Sequence, residues 1–215
     1  MLRIYISEIG DIPSAKDKEI LDNLNESLQK RALSAKNDKA KREKIFTYAL
    51  LTEALLHSGY AGDIILAEEK HGKPQLDGGV YKISLSHTEK LCAVAISDEG
   101  EVGIDAEEIS GEEKTKAAVK RFLNDFSPSL NFSQGVKIYD FDFIKSSFTK
   151  CKIDPIREAG PSSFTVLWTA AEALLKCDGG GFASLPSLEK IESESLIYSF
   201  TVREKYSVSL AIKRK

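Results

Sequence analysis

The chain has 215 residues, 42% of them hydrophobic and 29% charged, with a formal net charge of −3. That balance is expected of a soluble globular protein with one large core or two small ones, and its sign argues against bulk nucleic-acid binding. No apolar run approaches membrane-spanning length, and no leader follows the first residues, so neither a membrane segment nor a signal peptide is expected.

Met1-Leu2-Arg3-Ile4-Tyr5-Ile6 alternates like a first strand. Ile20, Leu21, Leu24 and Leu28 recur at helical spacing, which predicts one helix through Lys16 to Ala35. A basic stretch follows, with Lys30, Arg31, Lys36, Lys39, Lys41, Arg42 and Lys44 opposed by Asp38 and Glu43. It reads either as a solvated helix face or as a phosphate-gripping patch. A second helix buries Ile45, Phe46, Ala49, Leu50 and Leu56 and stops at Gly59. His71-Gly72-Lys73-Pro74 is a turn by composition. Val80 to Ser86 and Leu91 to Ser97 then form a strand pair, which puts His87 at the mouth of a hairpin, where a ligand contact competes with a core role.

Past the Asp98-Glu99-Gly100 turn, Val102-Gly103-Ile104-Asp105-Ala106-Glu107 reads as a strand with Val102 and Ile104 inward. Strand alternation places Asp105 and Glu107 on one face with no base between them. Two adjacent carboxylates repel unless a cation lies between them, and hard oxygen ligands suit Mg²⁺; a solvated acidic rim is the plainer reading. Ser110-Gly111-Glu112-Glu113 is a capping box opening a helix striped with Val119, Phe122, Leu123 and Phe126. Residues 127 to 161 carry weak periodicity, with Tyr139, Phe141 and Phe143 alternating as a short strand. Ser162 or Ser163 caps a helix through Trp168 and Leu175 that Gly179 ends, and strands are expected at Leu188 to Ile191, Leu196 to Arg203 and Tyr206 to Lys213. Cys92, Cys151 and Cys177 are odd in number and lack close pair spacing, which predicts a reducing cytoplasm and neither disulfides nor a zinc site.

Glu53-Ala54-Leu55-Leu56 recurs as Glu172-Ala173-Leu174-Leu175, and Ala93-Val94-Ala95-Ile96 as Ser209-Leu210-Ala211-Ile212, at nearly equal offsets. Two such matches suggest an internal duplication. The expected architecture is α+β, with pseudo-symmetric halves at 1–100 and 101–215, each a small antiparallel sheet with helices on one face. Asp105 and Glu107 then open the second half, near the seam where ligand sites form. Glu172 and Lys176, four apart, share a helix face as an ordinary ion pair or as part of a site.

Gly72-Lys73-Pro74, Ser84-Leu85-Ser86-His87-Thr88, Val102-Gly103-Ile104-Asp105-Ala106-Glu107 and Trp168-Thr169-Ala170-Ala171-Glu172-Ala173-Leu174-Leu175-Lys176 occur in that order. Together they resemble the 4'-phosphopantetheinyl transferase superfamily, of the two-domain, surfactin-activating type. The resemblance implies transfer of the phosphopantetheine arm of coenzyme A to a serine of an acyl or peptidyl carrier protein, with release of 3',5'-ADP. It implies Asp105, Glu107 and Glu172 as Mg²⁺ ligands against the pyrophosphate, and Glu172 also as base for the serine proton. Lys176 would neutralise the oxygens near the leaving phosphate. Ser86, His87, Lys73 and Lys44, with Arg42 as substitute for Lys44, would grip coenzyme A phosphates; Lys30 and Arg31 are weaker candidates for the 3'-phosphate surroundings. A monomer is implied.

Four departures qualify it, one being that Lys120-Arg121-Phe122 resembles the family's basic-aromatic run but lacks the glutamate a few residues later. Ala171 stands where the family has Lys, one phosphate-contacting ammonium fewer unless Lys120 or Arg121 replaces it. Ala106 replaces Ile or Val between the two acids, and the interval from Phe122 to Trp168, which faces the carrier in the family, is long. The alternatives are a homologue that binds coenzyme A or a carrier without turnover, and an interaction module whose charges are only solvated surface.

Overall fold

The computed structural model describes residues 1–9, 12–68, 72–109, 164–203 and 205–214, and the backbone alone of 130–132, 136–140, 149–150, Phe164 and Leu167. Strand β1 (Leu2–Glu8) leads to helices α1 (Lys16–Asp22), α2 (Glu26–Leu33) and α3 (Asp38–His57). Strands β2 (Leu66–Glu68), β3 (Pro74–Leu76), β4 (Lys82–His87), β5 (Leu91–Ser97) and β6 (Val102–Glu108) follow. The remainder holds β7 (Leu130–Phe132), β8 (Val136–Asp140), β9 (Thr149–Lys150), α4 (Phe164–Asp178), a 3₁₀ segment (Gly181–Ser187), α5 (Leu188–Ser193), β10 (Ser195–Val202) and β11 (Tyr206–Lys213).

Two antiparallel sheets form the frame, in the orders β4-β5-β1-β8-β7 and β6-β11-β10-β9, beside a β2-β3 pair. Alternation along each strand decides what each face meets. On β1, Tyr5 joins Leu28, Leu51 and Leu55 of the helices, whereas Ile4 and Ile6 pack on Ile104, Phe200, Val208 and Leu210 of the other sheet. The other face of that second sheet gives Ile197 and Ala211 to Ala173, Leu174 and Ile191 of α4 and α5. The molecule is therefore α+β in four layers, with helices outside and the two sheets face to face. Covered on both sides, β5 is buried over its whole length, so it reads as a continuous apolar run.

Several expectations are corrected. Lys16 to Ala35 forms two helices rather than one, because the Asn25 side chain accepts the Leu28 N–H at 2.9 Å and starts α2 afresh. Leu188 to Ile191 lies in helix α5, not a strand. Leu56 is exposed, while Leu51 and Leu55 take the core face of α3. The capping box at Ser110, the stripe Val119, Phe122, Leu123 and Phe126, the pair Lys120 and Arg121, and also His71, Phe141, Phe143, Cys151, Ser162 and Ser163 lie outside the described residues. Among the described residues no helix is long and apolar enough to cross a membrane.

Candidate functional site

Strand β6 divides its side chains between two environments. Val102, Ile104 and Ala106 enter the core between the sheets. Gly103, Asp105 and Glu107 alternate with them onto the face opposite that core, where α4 packs. Gly103 sets the approach of that helix, since a Cβ there would collide with the Ala173 carbonyl oxygen and the Cys177 nitrogen. The Thr169 hydroxyl fixes the preceding turn against β11, 3.0 Å from the Ser207 hydroxyl and 2.8 Å from that of Ser209. With the helix seated so closely, Glu172 and Lys176, one turn apart, come up to Asp105.

Asp105 is buried, 5% exposed. Its Oδ1 accepts from the Lys176 ammonium at 2.6 Å and from the Ser86 hydroxyl at 2.9 Å. Its Oδ2 is buried without a hydrogen-bond partner. Burial pushes the Glu107 carboxyl above its ordinary range, Asp105 and Glu172 push it further, and Lys176 opposes them. Glu172 is likewise raised, first by burial and then by Asp105, against the pull of Lys176. Three carboxylates thus share one ammonium. An unpartnered buried carboxylate oxygen beside two acids whose carboxyls are pushed up by burial and by neighbouring carboxylates is the donor chemistry that a hard divalent cation satisfies. The residues fit such an ion by charge and ligand type, although among the described residues no group of three or more His, Cys, Asp or Glu is arranged to hold one.

Beside these acids lies a cleft of about 320 Å³, lined by Gly72, Lys73, Pro74, Ser84, Leu85, Glu172, Leu175, Lys176 and Phe182. Gly72 turns with φ of 84°, which brings Lys73 to the cleft wall. The Lys73 ammonium pairs with Glu101 at 2.7 Å, and Lys82 pairs with the same carboxylate at 3.0 Å. Burial pushes Glu101 up, but the two ammonium groups outweigh it and hold the carboxyl below its usual value. Two cations on one acid leave a net positive charge there.

His87 ends β4 with its side chain 40% exposed and Nδ1 3.5 Å from the Glu43 carboxylate. Burial lowers its pKa; Glu43 opposes that, Lys176 and Lys44 add to it, and Asp105 opposes it. Lys44, Lys176 and Asp105 are therefore all within the electrostatic reach of the imidazole. Arg42 is engaged elsewhere: it pairs with Asp17, donates to the Ile9 and Ile12 carbonyls and stacks on Phe46 at 4.9 Å. Lys30 pairs with Glu26 at 2.6 Å on the surface of α2, and Arg31 donates to the Leu66 carbonyl at 3.3 Å.

The structure thus gathers Asp105, Glu107, Glu172, Lys176 and Ser86, puts His87 within electrostatic reach of Asp105, Lys176 and Lys44, places Lys73 across the cleft, and keeps Arg42 and Lys30 in other pairings. Ser84, Glu43, Glu101 and Phe182 border the site as well, and none has a site role in the sequence reading. Ser84 had a signal, as it shares a strand face with Ser86 by the period of two; Glu43 had one as an acid inside a basic run. No family model matches the chain, and no curated protein matches it.

Proposed function

We propose that the protein transfers the 4'-phosphopantetheine arm of coenzyme A to a serine of an acyl or peptidyl carrier protein, releasing 3',5'-ADP. The observation that carries this reading is the buried Asp105 carboxylate, with one oxygen unpartnered, in an acid group with Glu107 and Glu172 beside a lysine-lined cleft. Mg²⁺, held by Asp105, Glu107 and Glu172, would neutralise charge on the pyrophosphate. Lys176, which reaches from α4 to Asp105, would neutralise oxygens near the leaving phosphate. His87, Lys44 and Lys73 supply further cationic or hydrogen-bonding contacts for the coenzyme A phosphates. The carrier serine oxygen forms a bond to the β-phosphorus, the bond from that phosphorus to the bridging oxygen breaks, and 3',5'-ADP leaves with the electron pair. Glu172 accepts the serine proton, a role supported by a carboxyl held above its ordinary value and closer to neutral pH.

Incubation with apo carrier protein, coenzyme A and Mg²⁺ tests this. Wild type should add one phosphopantetheine mass to the carrier, and Asp105→Ala should add none. A second reading, coenzyme A or carrier binding without turnover, is favoured by Ala171, which offers no ammonium beside Glu172. Coenzyme A binding with no mass added to any of several carriers would select it.

A further inference from the structure

The two sheets meet at the edges β4 and β6, and side chains rather than a backbone ladder tie these edges together. The Ser84 hydroxyl oxygen accepts the Ile104 N–H at 3.0 Å, and the Ser86 hydroxyl oxygen accepts the Ala106 N–H at 3.1 Å. Both serines are buried, at 2% and 6% exposed. The two rungs bracket Asp105, the residue between the two N–H groups. Only the second rung also touches it, because Ser86 donates to Asp105 Oδ1 at 2.9 Å.

A serine hydroxyl has one proton. Here Ser86 donates that proton in a hydrogen bond to Asp105, and a phosphate oxygen, itself an acceptor, needs a donor. A Ser86 held in this way has no proton left for a coenzyme A phosphate. We propose that Ser86 is a positioning residue: it fixes Asp105 through Oδ1 across the seam between the sheets and leaves Oδ2 as the oxygen with coordination capacity. Lys176 completes the fixing of Oδ1 from the α4 side. The inference deepens the transferase reading and rests on it for the identity of the cation, while the contact of Ser86 with Asp105 does not.

The test uses the full chain and four variants, S86A, S84A, D105N and the S86A/D105N double. Mn²⁺ binding is followed by electron paramagnetic resonance without coenzyme A, and coenzyme A and 3'-dephospho-coenzyme A are titrated calorimetrically in EDTA. S86A should weaken Mn²⁺ binding about 10–100-fold, the range for loss of a group that orients a metal ligand. S84A, which removes a rung of the same seam without touching Asp105, should stay within about twofold of wild type by the same reasoning. The preference of S86A for coenzyme A over the dephospho compound should equal that of wild type. Equal Mn²⁺ losses in S84A and S86A would overturn the proposal in favour of a seam with no role in aiming Asp105. A lost preference for the 3'-phosphate in S86A, with Mn²⁺ affinity intact, would overturn it in favour of direct phosphate contact. Should wild type bind neither Mn²⁺ nor coenzyme A, the transferase reading falls, and thermal melts of S86A, D105N and the double variant decide the rest. Non-additive melting shifts uphold the hold of Ser86 on Asp105, and additive shifts remove it.

Discussion

Asp105 concentrates the chemistry at the scale of single residues, and its neighbours register its charge. Glu107 and Glu172 both take protons more readily than an ordinary carboxyl, whose value is 4.5. A raised folded-state pKa means that the native chain binds more protons than the unfolded one, so stability falls as pH rises through the window above 4.5. Glu107→Gln removes that penalty. The variant should melt about 1–3 °C above wild type at pH 7.5, a modest gain because the side chain is half-exposed and screened. The difference should shrink as pH falls and disappear well below 4.5, where the carboxyl is protonated in both the folded and the unfolded chain. Differential scanning calorimetry across that range checks it; a gain independent of pH would mean that packing, not charge, is responsible. His87 behaves in the opposite sense: its lowered pKa gives stability that is present above 6.5 and lost as pH falls through the folded-state value.

Helices α3 and α4 act as carriers whose faces sort residues by role. Arg42 and Lys44 sit two positions apart on α3, about 200° around its axis. Arg42 binds the chain between β1 and α1, whereas Lys44 adds to the field at His87. Arg42→Ala should therefore destabilise the protein by about 1–3 kcal/mol, the range for charge-assisted hydrogen bonds, and leave coenzyme A affinity unchanged. Lys44→Ala should do the reverse, leaving the urea midpoint in place and weakening coenzyme A about tenfold, as loss of a charge-assisted phosphate contact does. Paired urea unfolding and calorimetric titration separate the two. On α4 the controlling feature is the contact at Gly103. Gly103→Ala must push the helix from β6 and should cost about 1–3 kcal/mol by overpacking, read from the urea midpoint. A neutral Gly103→Ala would show that α4 is not seated as closely as the Ala173 and Cys177 backbone contacts require.

At the scale of the molecule, two helix-backed sheets meet face to face, and the candidate site lies where their edges β4 and β6 adjoin. Much of this could be read from the chain. Period-two alternation in Val102 to Glu107 separates core from acid face, and helical spacing in α4 puts Glu172 and Lys176 together. What escaped the sequence was partnership. Apolar spacing alone cannot show that Asn25 restarts a helix, that Arg42 turns away from the site, or that the Ser86 hydroxyl donates to Asp105. Each of those depends on which polar group arrives from a distant segment, and local periodicity holds no record of it. Leu188 to Ile191 failed for a related reason: four residues are too few to separate a strand from a short helix.

In the proposed transferase, Asp105, Glu107 and Glu172 hold a divalent cation against the coenzyme A pyrophosphate. Cation and coenzyme A must then bind cooperatively, each tightening the other by the same factor. Calorimetric titration of coenzyme A with and without saturating Mn²⁺ measures that factor directly. The expected result is at least about tenfold tighter binding with Mn²⁺ in wild type, a coupling within the usual range, and none in Asp105→Asn. Equal coenzyme A affinity with and without the ion in wild type would contradict the account.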